Sequence, residues 1–205
     1  MSAHIHTSVA AAKKPSVVTP QRFAQGLTWA QYQEAMKVNK DRFLEEYNSL
    51  QVSKADAGAL KGLVKGAKGP INVLAIAEDW CPDVWRGLPV MVRIAEAAGM
   101  ELRIFPRDQN LDIMSEFLYK GEFQSIPTFV FYTRDHKYIG HWIERPDLAN
   151  REMARVEEEV KREMPGKTDQ EIRAERGRRL RVHWPAWKQE TVKEIREFLS
   201  QAVKS

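Results

Sequence analysis

Cysteine is nearly absent from this chain: one occurs in 205 residues, at position 81. A lone cysteine excludes an internal disulfide, so no covalent crosslink holds the fold, and a reducing, cytoplasmic setting is the natural expectation. Long apolar runs are missing, none approaching the roughly 18 residues a membrane span requires. The N-terminal stretch MSAHIHTSVAAAKKPSVV lacks the apolar centre that a secretory signal carries. Charge of one sign does not dominate either. Basic residues number 32 and acidic 28, and the formal charge of +4 is too small to announce nucleic acid. There is no glycine-rich phosphate loop, nucleophile elbow or carboxylate pair. His136 and His141 form no metal-ligand spacing with Cys81, and His4 and His6 lie in a polar arm, so neither metal nor resident cofactor is expected.

What is present suits one α/β domain with extensions. Apolar residues make up 43% of the chain, enough for a real core at this length. Residues 1–20 show no periodicity and read as a flexible arm. Residues 21–57 read as an N-terminal helical extension. Thr28 with Gln31 forms a capping box opening one helix through about Leu50, and Ser53 with Asp56 opens a shorter one. From residue 71 the signals alternate. INVLAIA is a continuous apolar run, suited to a strand buried on both faces. A helix follows over 82–98 and ends at Gly99. ELRIFP alternates as a strand, and LDIMSEFLYKG is a short helix. TFVFYT and KYIGHWI, separated by a turn, form an antiparallel hairpin. Asp147 to Glu163 is helical and densely charged, and residues 164–205 are a C-terminal helical extension interrupted at Pro185. This order predicts a mixed central sheet with helices on both faces.

The chemistry concentrates at AEDWCPDVWRGLPV. Cys81 lies between Trp80 and Pro82 where a strand gives way to a helix. A thiol there faces unpaired backbone N–H groups and the positive end of the helix dipole, and both favour thiolate. Pro82 suits the first helical position, where its missing N–H costs nothing. Asp83 opposes a second negative charge, and Arg86, one turn on, compensates, so the net expectation is a modest depression of the thiol pKa. The bland reading is that an unpaired cysteine is a buried, inert small residue.

The arrangement resembles the thioredoxin-like superfamily. Trp80-Cys81 stands at a strand end, Pro89 follows eight residues after the cysteine inside the helix, and SIPTFVFY places Pro127 where that family carries a cis-proline facing the thiol. The resemblance covers about residues 58–163. EDWCPD is similar, more narrowly, to a bacterial subgroup whose motif reads Asp-Trp-Cys-x-Asp. It implies a thioredoxin fold, Cys81 as nucleophile, Trp80, Pro82, Asp83 and Arg86 as the thiolate's surroundings, and Ile126 with Pro127 as a groove for an extended substrate peptide. Two departures bear on mechanism. Val84 replaces the resolving cysteine, and Ala75 replaces the buried acid that serves the second thiol. Intramolecular resolution is therefore absent. The implied activity is monothiol thiol–disulfide exchange or thiol redox sensing, with glutathione or a thiol- or disulfide-bearing protein as the external partner. The alternative is a redox-silent binding module that keeps the groove.

Other features carry less. Five arginines in RAERGRRLR, near Trp184 and Trp187, suggest a nucleic-acid patch, but the neighbouring glutamates favour a solvated helix face. The tryptophans are expected to pack the last helix on the domain or to form a homodimer surface. Glu78 and Asp79 are candidate bases beside the thiol, with simple solvation the favoured reading.

Overall fold

The computed structural model describes residues 5–7, 16–66 and 68–204. The first strand, β1 (Ile5–Thr7), precedes four helices: α1 (Pro20–Ala24), α2 (Trp29–Ala35), α3 (Lys40–Ser49) and α4 (Lys54–Lys65). Then come β2 (Asn72–Ala77), α5 (Pro82–Ala98), β3 (Glu101–Pro106), a single 3-10 turn over Arg107–Gln109, and α6 (Leu111–Met114). The hairpin β4 (Thr128–Tyr132) and β5 (Tyr138–Ile143) leads to α7 (Asp147–Glu163), α8 (Asp169–Arg181) and α9 (Trp184–Ala202). The sheet order is β1-β5-β4-β2-β3, with β2 and β3 parallel and the remaining pairs antiparallel. This is the expected α/β architecture, a thioredoxin-like mixed sheet with helices on both faces.

Register assigns the faces. Val73 and Ala75 of β2 lie beside Phe131 and Phe129, and Phe129 lies beside Trp142. That face meets α5 and α9: the Phe129 and Trp142 rings stack at 5.4 Å, and Phe131 meets Phe198 of α9 edge-on. The opposite face carries Val130 and His141, and there Phe117, just after α6, meets the His141 ring. Every residue of β4 is buried, which explains its unbroken apolar run. Leu74 and Ile76 are wholly buried, and truncating either to alanine would cost about 2–5 kcal/mol.

Local signals place several helix ends. Thr28 and Gln31 close their reciprocal capping box, as do Thr168 and Glu171, and Gly99 ends α5 at φ +80°. Pro185 lies in the first turn of α9, where the expected interruption turns out to be a helix start.

Two expectations are corrected. The single helix over 28–50 is two, broken at 36–39, because Asn39 adopts φ +59° and the loop is tied to Asp79 from another part of the chain. The arm is not free throughout. Val17 N–H and the Ser16 hydroxyl both donate to Glu116, Val18 is buried, and Ile5–Thr7 pairs with β5; residues 1–4 and 8–15 lie outside the described residues. α5 is covered by α3, α4 and α9, so the last helix packs on the domain as its tryptophans suggest. The preceding α7 and α8 pack chiefly on each other around Val156, Val160 and Leu180.

Candidate functional site

β2 and β3 run parallel, so their C-terminal ends fall at one edge of the sheet. The start of antiparallel β4 and the end of β5 arrive at the same edge. Four loops therefore converge there: 78–81, 107–110, 124–127 and 144–146. Such an edge, where loops are presented by a rigid sheet, is where α/β folds hold ligands.

Cys81 is the N-cap residue of α5, half-buried, with φ −84° and ψ 125°. Pro82 opens the helix behind it, and Val84, in the position of a second thiol, is wholly buried. The Cys81 Sγ lies 3.8 Å from the carbonyl oxygen of Ile126, and the Ile126–Pro127 peptide is cis. The two elements meet closely: a Cβ placed on Gly87 would come 3.1 Å from Pro127 Cγ, tighter than an ordinary contact, so any side chain there would press on the proline ring.

The expected pKa of the thiol is reversed. Burial pushes the Cys81 thiol up, and the Asp83 carboxylate adds to this, while the Val84 and Asp83 backbone N–H groups and Arg86 pull the other way. Dehydration of the charged form outweighs the helix start. Arg86 is also less available than expected. Its guanidinium pairs with Asp83 at 2.6 Å and lies over the rings of Trp85, Trp184 and Trp187 at 5.0–6.0 Å.

Sequence reasoning missed Glu144 and Arg145, which follow β5. Arg145 donates to the second Asp83 oxygen at 2.6 Å and approaches Glu144 at 3.1 Å, and Glu144 N–H donates to the Pro127 carbonyl at 2.7 Å. Glu144 sits at φ +69°, a left-handed conformation that glutamate rarely adopts. Burial pushes its carboxyl pKa up, against the pull of Arg145. The only available signal was charge at a strand end, which is too common to select. Beneath the ion pairs a cleft runs between α5 and α9, lined by Gly87, Glu144, Arg145, Trp184, Trp187 and Lys188.

Glu78 and Asp79 are not freely solvated, since both carboxylates accept backbone N–H groups. Asp79 Oδ2 accepts the backbone N–H groups of Lys37 and Val38 at 2.6 and 3.2 Å, and Glu78 Oε1 accepts that of Asp108 at 2.8 Å. They lash neighbouring loops to the thiol loop. Trp80 remains 47% exposed, with the Arg107 guanidinium 5.0 Å from its ring, so it stands open beside the groove. The arginines of α8 largely pair with glutamates: Arg176 with Glu157, Arg178 with Glu175, and Arg179 with Glu163 and Glu175. Among the described residues no acidic or histidine cluster could hold a metal, and no helix is long and apolar enough to cross a membrane.

Comparison with known proteins accords with this geometry. No curated protein matches the sequence. A protein of unknown function from Pseudomonas aeruginosa, solved at 1.5 Å, superposes with a TM-score of 0.63 at 14% identity, over 91% of this chain and 99% of that one. A 4E10 HIV epitope-scaffold superposes with a TM-score of 0.60 at 15% identity, over 87% and 95% of the two chains. At those identities the likeness is one of fold alone. A family model described as thioredoxin matches residues 26–161, more than half of the sequence and every loop around Cys81. The chain belongs to the thioredoxin family.

Proposed function

We propose that this protein carries out monothiol thiol–disulfide exchange through Cys81, in a reducing cytoplasmic compartment. The supporting observation is the Cys81 sulfur itself, which is half-buried at a helix start and 3.8 Å from a backbone carbonyl of the 124–127 loop. A disulfide-bearing chain laid along Ile126 would bring its own sulfur to that point by strand addition.

The cycle balances without a second protein thiol. Cys81 loses its proton to solvent, and the thiolate attacks one sulfur of a disulfide. A mixed disulfide to Cys81 forms, the old S–S bond breaks, and the other sulfur leaves as a thiolate. An external thiolate, from glutathione or a partner protein, then attacks the substrate sulfur of the mixed disulfide, forming the exchanged disulfide and returning Cys81 as thiolate. Because the thiol pKa is raised, little thiolate exists at neutral pH. The fraction present is correspondingly more nucleophilic, since nucleophilicity rises with pKa.

Incubating the protein with glutathione disulfide and following its mass tests this. One glutathionyl group should appear on Cys81, faster as pH rises, and come off with reductant, while Cys81→Ser stays unmodified. An unmodified wild type after prolonged excess at pH 9 would sink the reading. The redox-silent binding module has its own supporting observation, the raised thiol pKa, and that negative result would favour it.

A further inference from the structure

The contacts around the sulfur close into a ring. Cys81 Sγ reaches Ile126 O; Pro127 O accepts from Glu144 N; Arg145, the next residue, pairs with Asp83; and Asp83 lies in the first turn of the helix that Cys81 caps. Within the ring one carboxylate serves two guanidiniums, since Asp83 Oδ1 takes Arg86 and Oδ2 takes Arg145, each at 2.6 Å. All three side chains are about four-fifths buried, so their charges are weakly screened. Nothing in the motif around Cys81 foretells this, because Arg145 is 62 residues from Asp83.

We propose that Asp83 and Arg145 are opposing positioning residues for the thiol: Asp83, shared between Arg145 and Arg86, offsets one of their two charges at the Cys81 sulfur and so adds to burial in keeping the resting thiol protonated. The inference rests on the reading of Cys81 as an exchange thiol and names what restrains it. The other charged and titratable groups facing this edge are accounted for. Glu78 and Asp79 are bound to backbone N–H groups of Asp108, Lys37 and Val38. Glu144 is held by Arg145, and Arg107, which reaches the Gln124 carbonyl and lies over Trp80, is paired with Asp108 at 2.7 Å. Tyr32, from α2, has a buried hydroxyl whose burial raises its pKa far above neutrality, so it stays uncharged. The charges left to bias the sulfur are those of Asp83, Arg86 and Arg145. The direction of the thiol's pKa agrees, because Asp83 raises it and Arg86 lowers it. Removing the carboxylate charge would leave Arg86 without its carboxylate and Arg145 paired with Glu144 alone, making the charge beside the helix start more positive by one.

Iodoacetamide alkylation of Cys81 against pH, in the full chain, decides this. Asp83→Asn, which keeps the side-chain shape, should lower the reaction midpoint by about one unit, giving about tenfold more thiolate at neutral pH. Arg145→Gln should raise it. Arg86→Gln leaves the Asp83–Arg145 pair intact and should also raise it, since Arg86 favours the thiolate. A merely structural role would move all three variants the same way, through loosening and re-exposure of the sulfur, and that result, or midpoints within 0.2 units of wild type, overturns the proposal. The two readings fail separately. If glutathionylation of the wild type succeeds while the midpoints do not split, the restraint alone is wrong. If the midpoints split while no mixed disulfide forms, exchange is wrong and the restraint stands.

Discussion

Asp79 sits two residues before Cys81, where a sequence reader looks for a base, yet its carboxylate faces away into the loop between α2 and α3. Asp79 Oδ2 receives two backbone N–H groups, those of Lys37 and Val38 at 2.6 and 3.2 Å, and its own carbonyl takes the Asn39 side-chain amide at 2.9 Å. Hydrogen bonds to a charged acceptor contribute about 1.5–3 kcal/mol each when shielded. These are solvent-exposed, so about 1–2 kcal/mol for the pair is the reasonable sum. Asp79→Ala should therefore lower stability by about 1–2 kcal/mol, seen as a shifted urea midpoint at unchanged slope. For a chain of this size the melting temperature should fall by roughly 2–8 °C. Asp79→Asn retains one acceptor oxygen and should lose less than half of that. The same two variants, assayed for Cys81 alkylation at fixed pH, separate clamp from base. A clamp predicts that the asparagine variant reacts within about twofold of wild type. A base predicts a loss of tenfold or more at unchanged stability, because an amide cannot take a proton. That second pattern would refute the clamp.

Further consequences can be measured independently. Gly26→Ala should destabilise the fold by about 1–3 kcal/mol, since the new Cβ would fall 2.4 Å from a ring carbon of Phe105 and 2.8 Å from Arg103 Cβ; an unchanged urea midpoint would contradict the packing of the 25–27 loop on β3. Val84→Cys should restore a dithiol one helical turn from Cys81, at a cost of about 1 kcal/mol in lost burial, and free-thiol titration after mild oxidation should then find none; two persistent thiols would mean that position 84 does not face the sulfur. Glu171 and Glu175, held down to about 2 by the Thr168 cap with Lys167 and by Arg178 with Arg179, respectively, should titrate near that pH in carbon-detected NMR. Their folded values lie below the ordinary one, so the support they lend α8 is complete above about 4.5 and is lost as pH falls toward 2. Carboxyl midpoints near 4.5 would remove both the cap and the ion pairs.

Some of this protein was legible because the relevant signals are local. The span of α5 over 82–98, its end at Gly99, the hairpin of β4 and β5 and the capping boxes at Thr28 and Thr168 all follow from patterns within one element. The helix over 28–50 was misread for the opposite reason. Its break depends on Asn39 in a left-handed conformation and on two N–H groups finding Asp79, 42 and 41 residues away, and no window along the chain contains both partners. The tryptophans of the last helix point to packing on the domain or to a homodimer surface, without naming the partners. Only packing shows that Phe198, Glu194 and Trp187 belong to the helix against α5 and β5, with Glu194 accepting from Trp142 Nε1 and from the first N–H of α7.

The amino-acid order alone determined the succession of strands and helices, the placement of one thiol at a helix start, and the loss of a second thiol at Val84. Hydrophobic period, capping residues and residue identity are properties of neighbouring positions. The charge state of that thiol belonged to the tertiary structure. Burial raises its pKa, and Arg145 arrives from the end of β5 to share Asp83 with Arg86. Solvation and Coulomb energy depend on distances through space, which folding sets and the order of residues does not display.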